Sequence, residues 1–138
     1  MEEKIAELLH TMVQHAKIFL ADAKEFWPFG GVVNQQGDIV PLAAYPGGEY
    51  PDSVDVIALL EKAIADKFKK KEVTAAAIVV DTNFRENINS ERAQAIKVRL
   101  MVPPAAPEDH YYLYQVEDDV VNLYEYIIYR GKTLNNGQ

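Results

Sequence analysis

The six residues Phe26-Trp27-Pro28-Phe29-Gly30-Gly31 constrain this chain more than any other stretch. A helix arriving from the N-terminal side must end there. Proline lacks the amide that a helical hydrogen bond needs, and its ring drives the preceding residue out of the helical region. The two glycines admit backbone angles closed to other residues, and the three aromatics need cover, so the stretch reads as a structural hinge whose rings cap a core.

The residues before it supply that helix. From Glu2 to Trp27, apolar side chains fall at Ile5, Leu8, Leu9, Met12, Ala16, Phe19, Leu20, Ala23 and Phe26. At about 100° per residue they fill an arc of roughly 120°, as expected of a helix laid on a sheet. Glu2, Glu3 and Glu7 suit the positive end of its dipole. After the hinge, Gly31-Val32-Val33-Asn34 and Asp38 to Ala43 flank Gln35-Gln36-Gly37, the pattern of a hairpin with a glycine-containing turn. Pro41 offers no backbone donor, which places the second strand at an edge or a bulge.

Tyr45 to Pro51 is loop by composition, and Asp52 stands as the N-cap of a second helix with Ile57, Leu60, Ile64 and Phe68 as its buried stripe. Lys67, Lys69, Lys70 and Lys71 close it at its negative end and read as a solvated terminus. Val73 to Asp81 is a short continuous apolar run, the signature of a central strand covered on both faces. Thr82 to Gln94 reads as a polar loop with a helical turn at Ser90 to Ala93. In the strand Ala95 to Val102, Ile96, Val98, Leu100 and Val102 point one way while Lys97 and Arg99 point the other, towards water. Prolines at 103, 104 and 107 break the sheet, and Tyr111 to Val116 and Val120 to Tyr129 read as strands around Glu117-Asp118-Asp119. Helical spacing also fits Val121 to Ile128, so strand and helix both stay open there.

The sum is an α+β domain in the order α-β-β-α-β-β-β(-β). Its expected architecture is two helices packed on one face of a mainly antiparallel sheet of five to six strands. With 138 residues, no repeat and no linker, one domain over residues 1–131 is expected, with a loose tail over 132–138.

The chain resembles a group of small uncharacterised bacterial proteins in which a helix ends in Glu-Phe-aromatic-Pro-Phe-Gly, here Glu25 to Gly30. The resemblance extends over roughly residues 20 to 130, through the Gly37-Asp38 hairpin turn, a second helix, the alanine-rich run Ala75 to Val80 and the strand Ala95 to Leu100. It implies the same fold and a bacterial origin, and carries no activity, cofactor or catalytic residue. The long loop at Asp81 to Gln94 and the tyrosine-rich end depart from the pattern.

Composition narrows the function further. With 21 acidic against 14 basic residues the formal charge is -7, which repels phosphate backbones and anionic lipid, so neither nucleic acid nor membrane is expected as a partner. Cysteine is absent, removing thiolate chemistry, and the start Met1-Glu2-Glu3-Lys4 lacks the basic and apolar regions of a signal peptide. A cytoplasmic setting is expected.

No catalytic set assembles. His10 and His15 diverge by well over 120° on a helix, and His110, beside Glu108 and Asp109, is expected to be solvated in a proline-flanked loop. Asp81-Thr82-Asn83 opens like a calcium loop, but Glu86 and Arg92 stand where the glycine and the closing glutamate belong. Glu117, Asp118 and Asp119, with His110, are a candidate cation set that a polar turn explains more simply. Ser53 and Ser90 lie outside any nucleophile-elbow setting, and Gly30-Gly31 and Gly47-Gly48 lack the spacing of a phosphate loop. No cofactor is indicated.

Six of the eight tyrosines lie between Tyr111 and Tyr129. In a hairpin, Tyr112 and Tyr114 on one strand and Tyr124 and Tyr126 on its partner would make an aromatic surface, which suits either cross-strand packing or contact with another protein. The leading expectation is therefore a non-enzymatic interaction module that binds a protein partner or itself, an immunity-type inhibitor of a basic toxin being one version. The alternative is a small-molecule-binding domain or enzyme with a pocket at the hinge, lined by Phe26, Trp27, Phe29 and Tyr45.

Overall fold

In the computed structural model, which describes residues 2–48, 51–85 and 91–130, the hinge acts as expected but the helix before it is shorter. Helix α1 (Glu2–Ala23) stops ahead of Trp27 because Lys24 turns left-handed at φ 68°, its amide bonding the Leu20 carbonyl at 2.9 Å. Phe26 therefore folds back onto Phe19 and Phe29, with ring centroids 6.2 and 5.4 Å away. Two strands follow, β1 (Phe29–Asn34) and β2 (Ile39–Leu42), joined by a turn in which Gly37 takes φ 85°.

Helix α2 (Ser53–Lys69) opens on Asp52, whose carboxylate accepts from the Val54 amide at 3.0 Å. Its buried line is Val56, Leu60 and Ile64, with Val56 taking the place expected of Ile57. Strands β3 (Val73–Phe84), β4 (Ala93–Met101), β5 (Glu108–Glu117) and β6 (Val120–Arg130) complete the elements among the described residues. All six strands pair antiparallel in one open sheet, in the order β2-β1-β3-β4-β5-β6. The α+β class and the order of elements are those read from the sequence, and the Val121 to Ile128 ambiguity resolves as strand.

The expectation that both helices share one face is overturned. Ala75, Ala77 and Val79 of β3 pack with Leu8, Met12, Val13, Ala16 and Leu20 of α1, while the alternate residues Ala76 and Ile78 pack with Val56, Leu60 and Ile64 of α2. Successive strand side chains point to opposite faces, so the helices cover opposite faces. The cause is the unbroken apolar run of β3, which needs a cover on each side.

The two hinge glycines mark where each cover comes closest. A Cβ on Gly31 would stand 2.7 Å from Met12 Cε of α1, and one on Gly30 would stand 2.6 Å from the Ala77 carbonyl oxygen and 3.8 Å from Leu60 of α2. Absent side chains, more than unusual backbone angles, are what these positions require.

Both ends of the expected loop at Thr82 to Gln94 are strand. Thr82, Asn83 and Phe84 pair with Ala95, Gln94 and Ala93, and no helical turn forms at 91–93; Ser90 lies outside the described residues, as does the tail over 132–138. Phe84 is drawn into the sheet because it closes a small cluster with Ala95 and Leu113 on the α2 face, edged by Tyr111 and Ile127.

Candidate functional site

Strand β6 is one edge of the sheet, and its two faces divide the tyrosines. Register places Tyr112 opposite Tyr126 on the α1 face, where their rings stack at 4.8 Å. Tyr111 and Tyr129 lie on the other face, each against Phe84, at 5.1 and 6.2 Å. Tyr114 is 1% exposed and belongs to the α1 core, its hydroxyl donating to Asp81 Oδ1 at 2.8 Å. Tyr124 falls where the β5–β6 register shifts, since Leu113 pairs with Glu125 and Tyr114 with Leu123, and it is exposed. Of the four tyrosines expected to share a surface, the hairpin thus pairs Tyr112 with Tyr126, leaves Tyr124 on the outer edge and takes Tyr114 into the core.

The hydroxyls of Tyr112 and Tyr114 are hard to ionise. Burial pushes the Tyr112 phenol well above its ordinary range, with Tyr126 adding to the effect. Burial, then the hydrogen bond to Asp81 and that carboxylate's charge, do the same to Tyr114.

His110 is not solvated. It sits on the α1 face of β5 between Val98 and Ile128, 3% exposed, with Nδ1 2.6 Å from the Tyr126 hydroxyl and Nε2 3.0 Å from Glu108 Oε1. Arg130 Nε donates to the other Glu108 oxygen at 3.2 Å. Sequence reasoning missed this chain because it treated Glu108 to His110 as loop. The available signal was the alternation Glu108, His110, Tyr112, which puts all three on one face once β5 begins at Glu108.

Asp109, the neighbour between them, faces the other way and forms a bidentate pair with Arg99 at 2.9 and 3.0 Å. Burial raises its carboxyl, but the Arg99 bonds and the nearby Lys97, Arg99 and His110 outweigh that, holding it below the ordinary carboxylate value. The trio Glu108, Asp109 and His110 is therefore split between faces. Glu117, Asp118 and Asp119 lie at the far end of β5, about 25 Å from His110 at about 3.3 Å per residue. Among the described residues, no three His, Asp or Glu side chains converge as metal ligands.

The second candidate region is a groove of about 620 Å³ at the hinge, lined by Phe19, Phe26, Trp27 and Phe29, with Asp22 and Glu25 also in its wall. It brings together three of the four expected lining residues. Tyr45 lies outside it, exposed, its hydroxyl donating to the Gly48 carbonyl.

Compared with protein-family models, curated proteins and solved structures, the chain matches none at a significant level. Among the described residues, no helix is long and apolar enough to cross a membrane.

Proposed function

We propose that this protein is a non-enzymatic, cytoplasmic interaction module of bacterial type, and that a second copy of itself pairs with the β6 edge. The supporting observation is the contrast between the sheet's two edges. Edge β2 spans four residues and carries Pro41, a blunted edge of the kind that resists pairing. Edge β6 runs for 11 residues without proline or lysine, and exposes Val120, Leu123, Tyr124, Tyr126 and Tyr129.

Antiparallel pairing of two β6 strands about Ile127 opposes Tyr126 to Ile128 and Glu125 to Tyr129. Apolar meets aromatic, and no like charges face each other. Light scattering coupled to size exclusion tests the reading. A dimer is expected, converted to monomer by Tyr124→Lys with Tyr129→Lys. A strict monomer at the highest attainable concentration, indifferent to these changes, rejects it.

The groove favours a second reading, a small-molecule binder at the hinge, since aromatic walls with a few polar groups are what such sites need. Trp27, the sole tryptophan, is 54% exposed in its wall and reports occupancy directly. Absence of any fluorescence response across a broad metabolite library removes this reading.

A further inference from the structure

We propose that Tyr126 is an activated nucleophile, a site of covalent acylation, with His110 as its general base and Glu108 orienting the imidazole. Every group involved lies within one chain, so the chemistry needs no second copy, although Tyr126 belongs to the strand proposed to pair.

The hydrogen-bond directions fix the arrangement. The Glu108 carboxylate, held by Arg130, can only accept, so His110 Nε2 carries the proton that it donates to Glu108 Oε1 at 3.0 Å. The Nδ1 lone pair then faces the Tyr126 hydroxyl, which donates to it at 2.6 Å. A hydroxyl nucleophile, a base within reach and a third group orienting the base are the components of assisted nucleophilic attack. The base is 3% exposed, whereas Tyr126, which carries the nucleophile, is 49% exposed. Stacking on Tyr112 at 4.8 Å restrains the phenol ring in that geometry.

Local charge selects the class of reagent. Among the described residues, the cation bonded to this hydrogen-bonded chain is Arg130, already paired with Glu108, and the protein as a whole carries -7. A polyanionic phosphoryl or nucleotidyl donor finds little to hold it, whereas an uncharged activated ester meets no repulsion. In the reaction the phenolic oxygen forms a bond to the acyl carbon, the ester's alcohol or phenol leaves with its electron pair, and the hydroxyl proton passes to His110 Nδ1. Glu108 balances the resulting imidazolium until the leaving group or water takes the proton.

p-Nitrophenyl acetate is the probe, with acetylation of each tyrosine followed by peptide mass spectrometry on the full chain. Tyr45, Tyr124 and Tyr129 are the controls, being at least as exposed as Tyr126 at 69%, 52% and 50%. Tyr126 is expected to react at least ~10-fold faster than any of them, a modest share of what general-base assistance supplies. Glu108→Gln and His110→Ala should each bring Tyr126 down towards the rate of Tyr129 without changing Tyr129 itself. They should also abolish the slowing of Tyr126 acetylation in deuterium oxide, which a purely structural role would leave unchanged. Should His110→Ala fail to fold, Glu108→Gln carries the comparison, since that side chain is partly exposed. The assignment is overturned if Tyr126 reacts no faster than Tyr129 in the wild-type chain, or keeps its full rate in a folded Glu108 or His110 variant.

Discussion

Asp81 occupies a position where the sheet elsewhere holds a hydrophobe. It follows Ala77 and Val79 on the α1 face of β3, lies opposite Ile96, and is held by the Tyr114 hydroxyl at 2.8 Å. Burial pushes its carboxyl above the ordinary value of 3.8, and the charge of Glu25 acts in the same direction, while the Tyr114 bond opposes both. The folded chain thus holds this proton more tightly than the unfolded chain does. Stability from this group is full below 3.8 and is lost as pH rises through the raised folded value. Asp81→Asn keeps an acceptor for Tyr114 and removes the charge, so the variant should melt higher than wild type at pH 7, with the advantage shrinking to nothing as pH falls below 3.8. Asp109 has the opposite sign. Its lowered carboxyl stabilises above the ordinary value and loses that contribution as pH falls through the depressed one, a branch that Asp81→Asn should leave in place. Thermal melts between about pH 3 and pH 7 separate the two.

The elements differ in how plainly the sequence announced them. Asp52 is a direct case: a short acceptor ahead of an apolar stripe, now seen bonding the Val54 amide. Asp52→Ala should cost about 1 kcal/mol in urea unfolding with an unchanged slope. The stripe of α1, the Gly37 hairpin and the alternation in β4 were equally legible, because period and turn chemistry are local. Element ends were less so. Pro28 bars Trp27 from the helix, but nothing local distinguishes Ala23 from Phe26 as the end of α1; Phe26 leaves the helix and packs on Phe19 and Phe29. Phe84 is the same lesson at the other end of the sheet, a residue read as loop that becomes strand because Ala95, Leu113 and Tyr111 provide a place to bury it. The Tyr126-His110-Glu108 chain stayed hidden for a related reason. A strand period becomes visible only once the strand's start is known, and the prolines preceding Glu108 concealed that start.

For the molecule as a whole, the decisive question is how two apolar layers on opposite faces behave as one folding unit. They share β1 and β3: Val32 and Val33 are neighbours in sequence yet belong to different layers, as do Ala76 and Ala77. Neither helix alone can complete β3, since removing either leaves one face of its apolar run Ala75 to Val80 in water. Loss of one layer should therefore unravel the other. Within the native state, however, the layers are separated by the sheet and have few side chains in common. Leu20→Ala in the α1 layer and Leu60→Ala in the α2 layer should each cost about 2–5 kcal/mol. The double variant should equal their sum within about 0.5 kcal/mol, because the sites share no partner across the backbone. Unfolding should remain a single transition in every variant, with Trp27 fluorescence and far-ultraviolet circular dichroism coincident. Two separated transitions would show that each layer folds on its own helix, and the shared strands would then not be the reason the domain is cooperative, whereas a double variant well short of additive would show that the two sites are coupled through the sheet.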